Sequence, residues 1–149
     1  MSGKTFLALE DALVNRLKGE LPDAVHVLTA ADLSGVTEGT QPAPAVHVIF
    51  GASPIKRVNP DGRSALIEQT WYTVVAVRNV RNVRAGTDAR IDASALVDKV
   101  LAALMGWKAT QTDQPLMLTT PPAPGYSAGF LYLPLAWKAE VVLSNPPLN

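Results

Sequence analysis

Gln69-Thr-Trp71-Tyr-Thr-Val-Val-Ala-Val-Arg78-Asn-Val-Arg81 is the stretch on which the fold turns. It belongs to an extended segment from about Ala65 to Asn79 whose first half alternates, with Leu66, Glu68, Thr70 and Tyr72 at every second position. The second half, Val74 to Val77, is apolar on both faces, so the far end of this strand is expected to lie between two layers. A polar turn follows, and then an amphipathic helix from Asp88 to Trp107. In that helix Leu96, Val100, Leu104 and Trp107 form one stripe, which Val97 and Leu101 widen. Thr87 or Asp88 is expected to cap it, Asp88 and Asp92 to complement its positive end, and Gly106 to finish it.

Upstream, Phe6, Leu9, Leu13 and Leu17 recur at three- and four-residue steps between charged residues, which predicts a helix from Thr5 to about Glu20. Thr5 is its expected N-cap, and Gly19 and Pro22 mark its end. Two β-branched runs, Ala24 to Thr29 and Pro44 to Phe50, read as strands. Asn59-Pro-Asp-Gly62 is a turn signal between extended pieces and predicts a hairpin into the strand that begins near Leu66.

Downstream, Pro115 to Thr120 reads as a strand and Gly129 to Leu143 as a long one, in which Pro134 predicts an edge or a bulge because proline gives the ladder no donor. The tail from Asn145 is expected to be loosely held. No repeat and no domain-sized linker is visible, so residues 1 to 149 are expected to form one domain. The class that results is α/β in the α+β sense: a mixed, largely antiparallel sheet flanked by two main helices.

At 149 residues, 48% apolar and 17% charged, the chain can bury a sizeable core. Thirteen basic and thirteen acidic side chains cancel, which argues against an open nucleic-acid binder held by phosphate neutralisation. The charge is uneven, however. Lys56, Arg57, Arg63, Arg78, Arg81, Arg84 and Arg90 make the middle basic, while the first 40 residues lean acidic. With no cysteine, disulfides, thiolate metal ligands and a thiol nucleophile are excluded. Neither a leader-like start nor a membrane-length apolar window is present, so a soluble, cytoplasmic chain without membrane contact is expected.

Catalytic motifs fail on context. Gly125-Tyr-Ser127-Ala-Gly129 matches the G-x-S-x-G pattern of hydrolases, but the elbow needs a strand before Ser127 and a helix after it. Here a proline-rich loop precedes and a strand follows, and His26 and His47 both come before the serine rather than after it. Glycines framing a turn at a strand entrance explain the pattern better. Gly3-Lys4-Thr5 lacks the upstream strand and glycine of a phosphate-binding loop. His26 and His47 sit between valines with no matching ligand set, and helix capping accounts for Asp88 and Asp92 more simply than a shared cation, so neither metal nor cofactor is expected.

Arg78-Asn-Val-Arg81-Asn-Val-Arg84 spaces three guanidinium groups evenly. They could meet phosphate or the carboxylates of a neighbouring subunit, since guanidinium pairs planar anions well, or they could simply keep the turn solvated.

Several blocks together resemble the tail terminator proteins of long-tailed bacteriophages, especially the Mu-like branch. They are Glu10-Asp-Ala-Leu-Val14, Pro44-Ala-Val-His-Val-Ile-Phe50, Gln69 to Asn79, Leu96 to Trp107, and Pro124-Gly-Tyr126 continuing to Gly129-Phe-Leu-Tyr-Leu-Pro134-Leu. The resemblance implies a small α/β subunit that forms a hexameric ring on the completed tail tube. Such a ring stops tube polymerisation, meets the tail tube protein and the head-completion or connector protein at the neck, and lets DNA pass through its lumen without sequence-specific binding. It implies a virion location at the neck end of the tail after assembly in the host cytoplasm, and no catalytic residues. Arg78, Arg81 and Arg84 are the candidates for an inter-subunit or lumen contact. The competing class is a small accessory enzyme or ligand-binding domain.

Overall fold

The computed structural model describes residues 6–79 and 83–145, with the backbone alone for 83–91. In chain order the elements are α1 (Ala8–Glu20), β1 (His26–Thr29), α2 (Ala30–Leu33), a 3-10 turn (Glu38–Thr40), β2 (Ala45–Ala52), β3 (Ile55–Val58), β4 (Ser64–Arg78), α3 (Val83–Leu104), β5 (Met117–Thr119), β6 (Gly125–Ser127) and β7 (Phe130–Ser144). The seven strands form one sheet in the order β1-β2-β4-β7-β5, with β3 also on β4 and β6 also on β7. Among the described residues only β1 and β2 run parallel, and every other pairing is antiparallel.

The backbone of the fold is the β4–β7 ladder, an unbroken register of fifteen residues from Ser64 opposite Ser144 to Arg78 opposite Phe130. On β4 the odd positions Ile67, Gln69, Trp71, Thr73, Val75 and Val77 point to the buried face. Their partners on β7 include Trp137, Ala139 and Val141, and Val46 and Val48 of β2 continue the same surface. Both α1 and α3 cover this one face, α1 over β1 and β2, α3 over β4 and β7. Leu9, Leu13 and Leu17 of α1 are at most 1% exposed. Burying each stabilises by about 1.5–3 kcal/mol.

The opposite face is divided. Near the β6 end, α2 and the segment down to Pro44 lie over it, so Ala45, His47, Ala76 and Phe130 are buried there as well. The two-sided burial expected for Val74 to Val77 is therefore present at Val75, Ala76 and Val77, with helices on one side and this strap on the other. Toward the other end the face opens, and Glu68, Lys138 and Glu140 reach solvent.

Several boundaries depart from expectation. Helix α1 begins at Ala8 with Leu7 at its N-cap and no side-chain cap, and the expected cap Thr5 lies outside the described residues. Helix α3 begins at Val83 rather than Asp88, so Thr87 and Asp88 sit inside it and neither caps it. The dipole role assigned to Asp88 and Asp92 lapses too, because that effect falls off within the first turn. Gly86 does not interrupt the helix, because glycine costs a helix interior only about 1 kcal/mol, less than neighbouring turns return. At the other end Leu104 is the last helical residue, Gly106 takes φ 73°, and Trp107 lies beyond. The guanidinium of Arg16 sits 5.5 Å over the Trp107 ring while its Nε donates to the Ala103 carbonyl at 2.9 Å, tying α1 to this end of α3.

Pro134 causes no bulge, since it stands opposite Val74 in the continuous ladder. It lies instead in the gap between β6, which ends its pairing at Tyr132, and β5, which begins at Ala136. The edge expected there is thus local: proline occupies the stretch of β7 where no outer strand asks for an N–H. A bulge does occur between Phe50 and Ala52. A Cβ on Gly51 would come within 2.5 Å of the Tyr72 ring and 3.0 Å of the Thr70 carbonyl, so this close crossing of strands requires glycine.

Candidate assembly surface

The most organised polar cluster is one that no sequence motif marks. The strap returns across the sheet, and its 3-10 turn brings Glu38 above Tyr132 of β7. The Tyr132 hydroxyl donates to Glu38 Oε2 at 2.6 Å and accepts from Gln41 Nε2 at 2.7 Å. Ser127 Oγ donates to Glu38 Oε1 at 3.1 Å. Burial and the adjoining Glu38 carboxylate push the Tyr132 hydroxyl up to about 12, only partly offset by the Gln41 donor. Leu33, Val36 and His47 complete the walls of a pocket of about 260 Å³ beside it. His47 is 7% exposed and its Nε2 has no hydrogen-bond partner among the described residues; desolvation holds its pKa below the ordinary 6.5. The strap is anchored at its start by a capping box, in which Thr29 and Asp32 exchange bonds and the Asp32 carboxyl is held below its usual range.

This geometry settles the reading of Ser127. It ends β6, and Ala128 and Gly129, at φ 50° and 82°, form a two-residue hairpin turn into β7. Two positive φ values identify the turn type that suits hairpin twist, and a strand follows where an elbow needs a helix. Among the described residues no group of three metal-capable side chains exists, and no helix is long and apolar enough to cross a membrane.

The three arginines part company. Arg78 closes β4, with its guanidinium 4.9 Å over the ring of Phe130, its cross-strand partner. Arg81 lies outside the described residues. Arg84 belongs to the first turn of α3 and not to a turn before it.

The open part of the second face carries a bridged line of charges. Lys56 Nζ lies 2.7 Å from Glu140 and 3.8 Å from Glu68, and Lys138 lies 3.7 Å from Glu68. The Glu140 hydrogen bond raises the Lys56 pKa. Exposed pairs of this kind are screened by water and salt, so they describe a hydrated surface more than a source of stability. Large exposed apolar side chains lie on the same outer strands: Met117 of β5 on this face, and Ile55 and Val58 of β3 and Leu118 of β5 on the other, with their cross-strand partners Ile67, Ala65 and Trp137. The surface therefore consists of short outer strands, exposed aliphatics and paired charges, the materials of a protein–protein contact.

The sequence model of the family described as phage tail terminator protein matches residues 3–146 of this chain. The chain belongs to that family. It is accordingly a structural protein of the phage tail. No curated protein matches it. Among solved structures, a chain of the virion of the native gene transfer agent particle aligns at a TM-score of 0.48 with 15% identity, over 90% of this tail terminator and 94% of the other chain.

Proposed function

We propose that this tail terminator closes as a hexameric ring on the completed tail tube, ends tube polymerisation, and offers its opposite side to the head-completion protein at the neck. Membership of the terminator family over residues 3–146 carries the reading. The sheet is consistent with it. Its two outer strands, β1 and β5, are different surfaces on opposite sides of one subunit, and a ring needs a heterologous contact between unlike patches. The molecule works as a single terminator domain without catalysis. DNA crosses the lumen without base-specific contact, in keeping with thirteen positive and thirteen negative side chains.

Arg78, Arg81 and Arg84 face a neighbouring subunit or the lumen in this reading. In support, Arg78 ends β4 and Arg84 lies in the first turn of α3, and a guanidinium pairs well with a partner's carboxylate. The deciding experiment is mass measurement on isolated tails. Six copies at the tail end are expected. A strictly monomeric protein missing from purified particles overturns the proposal.

A further inference from the structure

Beyond the body covered by the helices, three strands continue as an arm: β3, the first part of β4 and the last part of β7. Both sides of this arm end in open edges. All four residues of β3 are exposed, Ile55 at 65% and Val58 at 53%, and among the described residues its outer edge has no backbone partner. On the other side, β5 pairs only with Ala136, Trp137 and Lys138, and the last outside bond runs from Asp113 N to the Glu140 carbonyl. Residues 141–144 of β7 then continue without an outer partner among the described residues, with Val142 and Leu143 half-buried and Ser144 exposed.

An open strand edge presents alternating N–H and C=O groups, and the surface that satisfies them in full is another strand edge. The two edges of this arm match each other. Each spans four residues, each carries aliphatic side chains, and β3 and β7 are both antiparallel to β4, so they point the same way. A second copy placed beside the first by rotation, without inversion, brings its β3 against this β7 as a parallel pair. Repetition around a closed ring leaves no arm edge unpaired.

We infer that the β3 edge of one subunit adds to the 141–144 edge of β7 in the next copy, so that the arms form a continuous inter-subunit sheet. The inference rests on the ring proposed above and names its contact.

The chain contains no cysteine, so introduced thiols report unambiguously. Arg57→Cys and Ser144→Cys place one exposed thiol on each edge. On isolated tails treated with a short thiol-to-thiol cross-linker, the double variant is expected to give a ladder of covalent species up to the full ring. A mixture of the two single variants gives dimers only. A ring by mass with no cross-link in the double variant overturns the edge pairing and leaves the ring standing. Self-linking of the Arg57→Cys variant alone overturns it as well, because that is a two-fold contact. Absence of any ring overturns the ring and the edge pairing together. As a second test, Ile55→Lys with Val58→Lys changes two solvent-exposed side chains and is expected to leave thermal unfolding in place while the ring fraction falls roughly tenfold. Unchanged ring formation in that variant overturns the inference.

Discussion

Trp71 and Trp137 stand opposite each other across the β4–β7 ladder, both fully buried, and each indole N–H donates to a side chain of β4. Trp71 Nε1 reaches Gln69 Oε1 at 3.0 Å, and Trp137 Nε1 reaches Thr73 Oγ1 at 2.9 Å. Gln69 Nε2 in turn donates to the Phe6 carbonyl at 2.7 Å, fastening the lead-in to α1 onto the sheet. The two polar residues on the core face of β4 are there because buried indoles need acceptors.

Thr73→Val keeps the shape and strands the Trp137 N–H, so it should cost about 1–3 kcal/mol. Gln69→Leu strands both the Trp71 N–H and the Phe6 carbonyl and should cost more than Thr73→Val. Urea unfolding followed by tryptophan fluorescence measures both, and equal stability of Gln69→Leu and wild type would refute the network's role.

Ala128 adopts φ 50° in the hairpin turn, a conformation that strains a Cβ. Ala128→Gly should therefore stabilise by about 0.5–1 kcal/mol through relief of that strain, and Ala128→Asn should do much the same. Ser127→Ala, by contrast, removes one exposed bond to Glu38 and should shift stability by less than about 1 kcal/mol. Thermal unfolding of the three variants is the check.

Gly51→Val should destabilise by about 1–3 kcal/mol, because the added atoms collide with the Tyr72 ring and the Thr70 carbonyl at the β2 bulge. Gly39, where a Cβ meets nothing within 4 Å, is the control: Gly39→Ala should be near neutral in the same denaturation assay.

His47 is neutral in the fold and its pKa lies below 6.5. The unfolded chain therefore binds a proton first as pH falls. Above 6.5 neither state is protonated and the residue adds no pH dependence; below it, stability drops until the folded-state pKa is reached. His47→Gln should flatten that acid-side slope in denaturation curves taken across this window. Tyr132 acts at the other extreme. Its folded pKa of about 12 exceeds the ordinary 10.0, so its contribution is whole below pH 10 and is lost as pH rises toward 12. Tyr132→Phe should remove this alkaline loss.

Reversing charge at Arg81 and Arg84 together should leave the subunit folded yet lower the yield of completed tails roughly tenfold, as expected when a charged contact becomes repulsive. Counting tails of normal length by electron microscopy tests it, and normal tails would mean that these arginines are merely solvated.

Much of this was legible in the residues. The Gln69–Arg78 stretch, with alternation followed by continuous apolar residues, predicted a strand covered on both sides at one end, and Asn59-Pro-Asp-Gly62 predicted the hairpin into it. Such features are local, set by side-chain period and turn chemistry. The start of α3 at Val83, ahead of the expected Asp88, depends on helix continuation, which no short window measures. Pro134 by itself predicts an edge or a bulge, and only the placement of β5 and β6 distinguishes the two.

By itself, then, the amino-acid order determined that α1, α3 and the main strands β1, β2, β4, β5 and β7 exist and which of their faces are apolar. Those properties follow from periodicity and residue chemistry within a few positions. Tertiary structure alone decided that Glu38, Gln41, Ser127 and Tyr132 meet, and that Gln69 and Thr73 serve two tryptophans. Partners as much as 94 residues apart in sequence, such as Glu38 and Tyr132, are brought together only by the sheet order, which pairing and burial choose over the whole chain at once.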